Sequence, residues 1–284
     1  MKPSPLTLTG ISDEAGKSIE KQIQAHKELG WTSIELRLIN GLNATWSLPE
    51  DQFQQAAEKI EEAGLTVTGF GSAIGNWSRS ITDDFAIDLN ELEIAIPRMQ
   101  RFKTKFIRTM SWLGDGVDDA TWKKESIRRY KELAKIAEKA GIYLAHENCA
   151  GWGGLSPQNM NTFIEEVGSS HVVTLYDIGN VISHGDDPWD FYQQLDKQYI
   201  AYVHIKDARK NPEGGSSSHF TYPGEGDAMV KEILQDLPKV GYEGVVSIEP
   251  HIASIIHKTD ENAASEDLMY NSYLEYGRKA AALL

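Results

Sequence analysis

Four segments of strand character in the second half of this 284-residue chain carry groups that could bind a cation. IYLAHE (142–147) ends in Glu147, VVTLYDI (172–178) carries Asp177, YIAYVHIKDA (199–208) carries His204, and GVVSIE (244–249) ends in Glu249. A buried strand does not end on a bare carboxylate cheaply, because an unpaired buried charge costs several kcal/mol or more. Carboxylates gathered without a cation repel one another and take up protons. Three carboxylates and one imidazole around a divalent ion instead stabilise each other. The oxygen-rich donor set makes Mn2+ the first choice, with Mg2+, Co2+ and Zn2+ as alternatives. Taken singly, each residue has a plainer reading: Asp177 as a helix cap, His204 as a satisfied core histidine, the glutamates as surface charge. Their joint placement on four consecutive strands favours the metal.

That joint placement requires a particular scaffold, and the rest of the sequence supplies it. LTLTGI (6–11), TSIELR (32–37), LTVTGFG (65–71) and KFIRTMS (105–111) read as strands. Apolar residues at helical spacing mark helices over 17–30, 49–64, 84–102 (with a kink or break at Pro97) and 119–141. The second half continues the alternation, with helices near 157–167 and 188–197, one ending at Val240, and a last one from about Ser265 to Leu283. A polar Gly/Ser-rich loop occupies 211–227. Strands separated by helices pair in parallel through right-handed crossovers. Eight such units without an interdomain linker predict one closed (β/α)8 TIM barrel spanning residues 1–284, an α/β fold whose chemistry sits at the C-terminal strand ends. A doubly wound open sheet would want a Gly-rich phosphate loop after the first strand, and ISDEAGKS (11–18) lacks it.

Composition narrows the function. There are 28 Lys+Arg against 42 Asp+Glu, a formal net charge of −14, which is a poor match to a nucleic-acid backbone. Cys149 is the single cysteine, so no intrachain disulfide forms. No leader or membrane-length apolar run is visible, and the expectation is a cytoplasmic protein acting on a small molecule, with no membrane partner.

Several motifs carry a family likeness. HEN (146–148), YDIGN (176–180), VHIKDA (203–208), PGEGD (223–227) and SIEPH (247–251), with SDEAG (12–16) and IELR (34–37) near the start, resemble the sugar phosphate isomerase/epimerase family of xylose-isomerase-like TIM barrels. The likeness covers essentially the whole chain. It implies one divalent ion held by Glu147, Asp177, His204 and Glu249. It also implies that the two glutamates handle protons on opposite faces of a sugar. Ketose epimerases of this type commonly carry a histidine three residues after the strand-six aspartate. This chain has Asn180 there, and His184 lies further on. That departure brings it closer to the inosose-type branches. Barrels resembling it are commonly dimers or tetramers, which makes a homo-oligomer the expectation by analogy.

The chemistry expected is an isomerase or epimerase reaction on a keto sugar or keto polyol. An ion chelating a carbonyl and its neighbouring hydroxyl acidifies the adjacent C–H, a carboxylate removes the proton, and a cis-enediolate results. Reprotonation on the other face epimerises the centre, and reprotonation on the adjacent carbon isomerises it. Loss of a β-oxygen would instead make a lyase or dehydratase of a 3-keto sugar, 3-keto glycoside or inosose. Lys206, two residues after His204, and His251 are candidate acids beside Glu147 and Glu249. Lys206 could equally be a surface lysine paired with Asp207. Glu35, Arg37, Trp112, Asn180, His184 and Arg209 are candidates for substrate contact, Glu35 and Arg37 having a mutual salt bridge as the simpler reading. Trp46, Trp77, Trp112 and Trp152 fall just after strands two to five, where aromatic faces suit a sugar's C–H face. Without a Gly-rich anion cradle an unphosphorylated substrate is preferred, although Arg79, Arg108 and Arg209 leave room for an anion. An abasic-site endonuclease, which needs many rim histidines and a basic DNA face, does not fit an acidic chain with eight histidines. A non-catalytic sugar-binding barrel is disfavoured by the intact ligand set.

Overall fold

The computed structural model describes residues 6–213, 219–253 and 265–284. Eight strands form the barrel: β1 (Thr7–Gly10), β2 (Ser33–Leu36), β3 (Thr66–Gly71), β4 (Phe106–Ser111), β5 (Tyr143–Gly151), β6 (Val172–Asp177), β7 (Ile200–Ile205) and β8 (Val245–Ile248). They lie in the order β1-β8-β7-β6-β5-β4-β3-β2, every ladder parallel. A parallel bridge between Ile11 and Glu35 joins the two ends of that order, so the sheet is a nearly closed barrel. The (β/α)8 expectation therefore holds.

The helices are α1 (Ile19–Glu28), α2 (Glu50–Glu62), α3 (Ala86–Phe102), α4 (Asp119–Ala140), α5 (Pro157–Val167), α6 (Ile178–His184), α7 (Pro188–Gln194), α8 (Val230–Asp236) and α9 (Glu266–Ala281). Their ends are written in the sequence. Ser18, Asp118 and Ser156 accept hydrogen bonds from Lys21, Thr121 and Asn159 amides, and Gly141 closes α4 at φ 70°. Against the expected break, α3 runs through Pro97; the buried Leu92, Ala95 and Met99 keep it seated on the sheet.

Two large apolar clusters fill the space between helices and sheet. Inside the barrel, Ala145, Leu175 and Tyr202 pack with Phe106 as a plug. Strand side chains alternate faces, so Glu147, Asp177 and His204 stand one inward position above that plug. His146 points the other way and is buried beside Tyr130 and Phe163, as the alternation predicts.

Two local expectations are corrected. The chain turns directly from β6 into α6, a helix that the weakly helical run IGNVISH did not signal. Within the supposed loop, His219–Thr221 is a short strand that pairs antiparallel with Asp207–Arg209 before the loop, while residues 214–218 of the expected loop lie outside the described residues.

Candidate metal centre

Each of the four rim residues is fixed by a partner that leaves one atom facing the others. Asp177 Oδ1 caps α6, accepting from the Gly179 and Asn180 amides at 2.9 Å each, and Oδ2 is left inward. The cap reading holds, and the same side chain still offers its second oxygen to the cluster. Asn148 staples β5 to β6: its Nδ2 donates to the Asp177 carbonyl (2.8 Å) and its Oδ1 accepts from the Asp177 amide (2.6 Å).

His204 Nε2 lies 3.2 Å from Glu35 Oε1, and Glu35 Oε2 accepts from the Tyr202 hydroxyl at 2.9 Å. Glu35 therefore favours the tautomer protonated at Nε2, leaving Nδ1 as the lone-pair atom. That nitrogen is 3.7 Å from both Glu147 Oε1 and Glu249 Oε2. On β8, Glu249 Oε1 accepts from Arg37 Nη1 at 2.7 Å, and Oε2 lies 2.6 Å from Lys206 Nζ.

Glu147, Asp177, His204 and Glu249 each offer one ligand atom, all within 4.8 Å of one another, and all four residues are buried. A second observation supports the fit. Glu147 Oε2, Asp177 Oδ2, His204 Nδ1 and Glu249 Oε2 are buried atoms without a hydrogen-bond partner, one from every member of the set. Lys206 Nζ approaches Asp177 Oδ2 (2.8 Å) and Glu249 Oε2 without the alignment of a hydrogen bond. Unsatisfied buried polar atoms are rare and call for a reason. Three hard oxygens and an imidazole nitrogen facing one point suit a divalent ion.

The electrostatics agree. Burial alone would raise the Glu147 carboxyl, but the Arg108 guanidinium and His204 hold it at about 2. Glu249 is likewise held well below the ordinary carboxylate range, with Lys206, His251 and Arg37 outweighing its burial. Asp177 goes the other way, raised to about 6 by burial and by Glu249 and Glu147, against the pull of Lys206. His204, which burial would lower, is pushed up to about 10 by Glu35, Glu147 and Glu249. The cluster attracts positive charge, and an ion binding there would release the imidazole proton.

The remaining expected residues take varied positions. Lys206 is buried, not a surface lysine paired with Asp207. Its stem passes over Gly179, where a Cβ would sit 2.6 Å from the lysine Cβ, and its ammonium donates to Asn180 Oδ1 at 3.0 Å. Asp207 instead accepts from the Gly224, Gly226 and Ala228 amides, which makes PGEGD a fold element. Asn180 Nδ2 donates to Glu147 Oε1 at 3.2 Å, so this residue bridges Lys206 to a ligand. Glu35 stands behind His204 and Arg37 points at Asp13, Glu14 and Glu249, so the two do not pair with each other.

Arg37, Trp77, Arg108, Asn180, Lys206 and His251 line a cavity of about 60 Å3 together with Glu147 and Glu249. Trp112, expected as a substrate platform, is fully buried in the helix layer with Nε1 donating to Asp88, and Trp77 faces the cavity instead. Trp152 is buried too, its Nε1 donating to Asp119. His184 and Arg209 are exposed and do not line that cavity. Arg79 is held by Asp88 and Glu91. Asp13, Glu14, Asn148 and Tyr202 were not assigned from sequence; the motif SDEAG was the available signal for the first two.

A (β/α)8 barrel with a buried acidic, histidine-containing cluster toward the C-terminal side of its strands defines a class of candidate metal-dependent enzymes. Residues 23–271 match the xylose isomerase-like TIM barrel family, and the chain belongs to it. Among curated proteins it is similar to an uncharacterized protein of Methanocaldococcus jannaschii, 28% identical over 147 residues (51% of this chain, 46% of that one). It is also similar to an inosose dehydratase of Clostridium tetani, 24% identical over 138 residues (44% and 46%). These matches span less than half the length of either relative. Solved structures with the same fold include a probable 3-DHS dehydratase from Bacillus anthracis (TM-score 0.69, 19% identity, 94% of this chain and 97% of that one). A protein with a bound zinc atom superposes with TM-score 0.74 at 16% identity, covering 98% and 96%. A D-tagatose 3-epimerase-like protein does so with TM-score 0.69 at 18% identity, covering 96% and 99%.

Proposed function

We propose that this protein is a divalent-metal-dependent isomerase or epimerase of a small unphosphorylated keto sugar or keto polyol, acting by proton removal next to the carbonyl. The observation that supports it is the pair Glu147 and Glu249. They come from strands separated by β6 and β7, yet both contribute to one buried ligand cluster. When bound, a divalent ion (Mn2+ in this proposal) supplies Lewis acidity to a substrate carbonyl.

The protein's own groups do the rest. Glu147, kept ionised by Arg108, is competent to accept a proton, and Glu249 brings a second carboxylate to the same cluster. Lys206 and Asn180 stand beside both carboxylates as donors toward a substrate oxygen. Trp77 lines the cavity and offers an aromatic face to a sugar's C–H groups. Arg37 and Arg79 are already taken up by carboxylates, which removes two of the cationic groups that a phosphate could use.

A second reading, dehydration of a keto polyol such as an inosose, is supported by a specific observation. The buried Lys206 ammonium touches Glu249 Oε2 at 2.6 Å, a base and an acid side by side. The inosose dehydratases among the relatives lend it further support. The test is proton NMR in D2O with Mn2+-, Mg2+-, Co2+- or Zn2+-loaded protein and a panel of keto sugars, 3-keto glycosides and inososes. Deuterium entering next to the carbonyl, with no loss of water, is the expected result. Loss of one water would transfer the assignment to the dehydratase reading, and no exchange with any metal would sink both.

A further inference from the structure

Glu249 belongs to two potential metal clusters. Besides the one described, Glu14, Glu249 and His251 also bring ligand atoms within 4.8 Å of one another, and all three are buried. Shared carboxylates of this kind bridge the ions of two-metal enzymes. The two clusters differ in how their donor atoms are held. In the first, Lys206 Nζ approaches Asp177 Oδ2 (2.8 Å) and Glu249 Oε2 (2.6 Å) but leaves Glu147 Oε2 and His204 Nδ1 without partners, whereas hydrogen bonds close the second.

In the second cluster a guanidinium stands where an ion would. Arg37 Nη1 donates to Glu249 Oε1 at 2.7 Å, and Nη2 donates to Glu14 Oε1 at 3.3 Å. Its Nε and Nη2 donate to Asp13 at 3.1 Å each. Glu14 Oε1 also meets His251 Nδ1 at 2.9 Å, and Glu14 Oε2 accepts from the His251 amide at 2.7 Å. His251 is held at φ 52°, a left-handed conformation that costs a non-glycine residue about 1 kcal/mol or more, by this double contact. Among the described residues, neither Glu14 nor His251 has a buried side-chain atom lacking a hydrogen-bond partner, whereas all four members of the first cluster do.

We propose that Arg37 is a built-in cation that replaces a second divalent ion, holding the enzyme to one metal and locking Glu249 Oε1 so that Oε2 alone faces that metal. Arg37 is then a positioning residue and not a substrate contact. The inference rests on the metal reading of the first cluster.

The experiment counts ions. Full-length protein, and its R37M variant, are saturated with Mn2+, desalted and assayed for metal by mass spectrometry, with electron paramagnetic resonance on the same samples. The wild type is expected to hold one Mn2+ per chain with the spectrum of an isolated ion. R37M is expected to hold two, with the broadening of a coupled pair, and R37M/E14Q to return to one. Two ions in the wild type, or one in soluble R37M, would overturn the proposal. Should R37M fail to fold without metal, refolding in Mn2+ with two ions incorporated supports it, and failure to refold in Mn2+ counts against it. No ion at all in the wild type would instead strike the metal reading beneath it.

Discussion

The two sides of the pocket have nearly the same ingredients and opposite states. On the β1–β2 side, Asp13, Glu14, Arg37 and His251 form a network in which every carboxylate has a donor. On the β5–β7 side, Glu147 and His204 each keep a buried atom without a hydrogen-bond partner, and Asp177 Oδ2 meets only the Lys206 ammonium, at 2.8 Å. Counting acids and histidines would score the two alike. Unsatisfied valence separates them, because a buried polar atom left without a partner is costly unless another binding partner is meant to meet it.

The largest effect expected of this contrast is at His204. H204Q should lose Mn2+ binding outright in calorimetry, whereas H251Q should keep binding an ion; equal loss in both would erase the distinction between the sides. Next comes a histidine outside both clusters whose two nitrogens are engaged. His26 Nδ1 bonds to the Ser33 carbonyl at 2.7 Å and Nε2 to the Tyr273 hydroxyl at 2.9 Å. Burial depresses it to about 4, so the unfolded chain takes up its proton first. Its contribution to stability is intact above about pH 6.5 and drains away as pH falls toward 4, by about 3 kcal/mol in all. H26Q should flatten that acid limb in denaturant melts, and an unchanged slope between pH 6.5 and 4 would refute the assignment. The smallest expected effect is at Glu35, which touches the ion only through His204. E35Q should weaken Mn2+ binding about 10- to 100-fold, in line with other groups that orient a ligand. An affinity unaltered within threefold would mean that Glu35 does not set the tautomer.

Much of this was legible in the sequence. Acids recur within β5, at the end of β6 and just beyond β8, and the period of two places Glu147 and Asp177 inward with His204. The cluster could thus be read from local pattern, although β5 runs on to Gly151 instead of ending at Glu147. Asp177 shows the limit: a cap and a ligand leave the same trace in a sequence, and only the division of labour between its two oxygens tells them apart. Helix α6 was missed because its cap is that same residue and its body contains Gly179 and the β-branched Val181 and Ile182. Arg37 and Glu35 could be placed on the rim, but the simpler reading paired them with each other instead of with Glu249 and His204. Both partnerships span more than 165 residues and depend on how the barrel closes. Trp112 follows β4 as expected, yet a left-handed φ of 58° accompanies its burial in the helix layer, and no spacing rule announces that turn.

The bridge between Ile11 and Glu35 is the one backbone pairing among the described residues that joins the β1 and β2 ends of the sheet, beside the side-chain bonds of Arg37 to Asp13 and Glu14. Glu35 therefore sits on the seam while gripping His204 on the opposite arc. Through that contact, an ion bound at His204 as proposed would also draw on the joint, and its occupancy would be linked to the stability of the closed barrel.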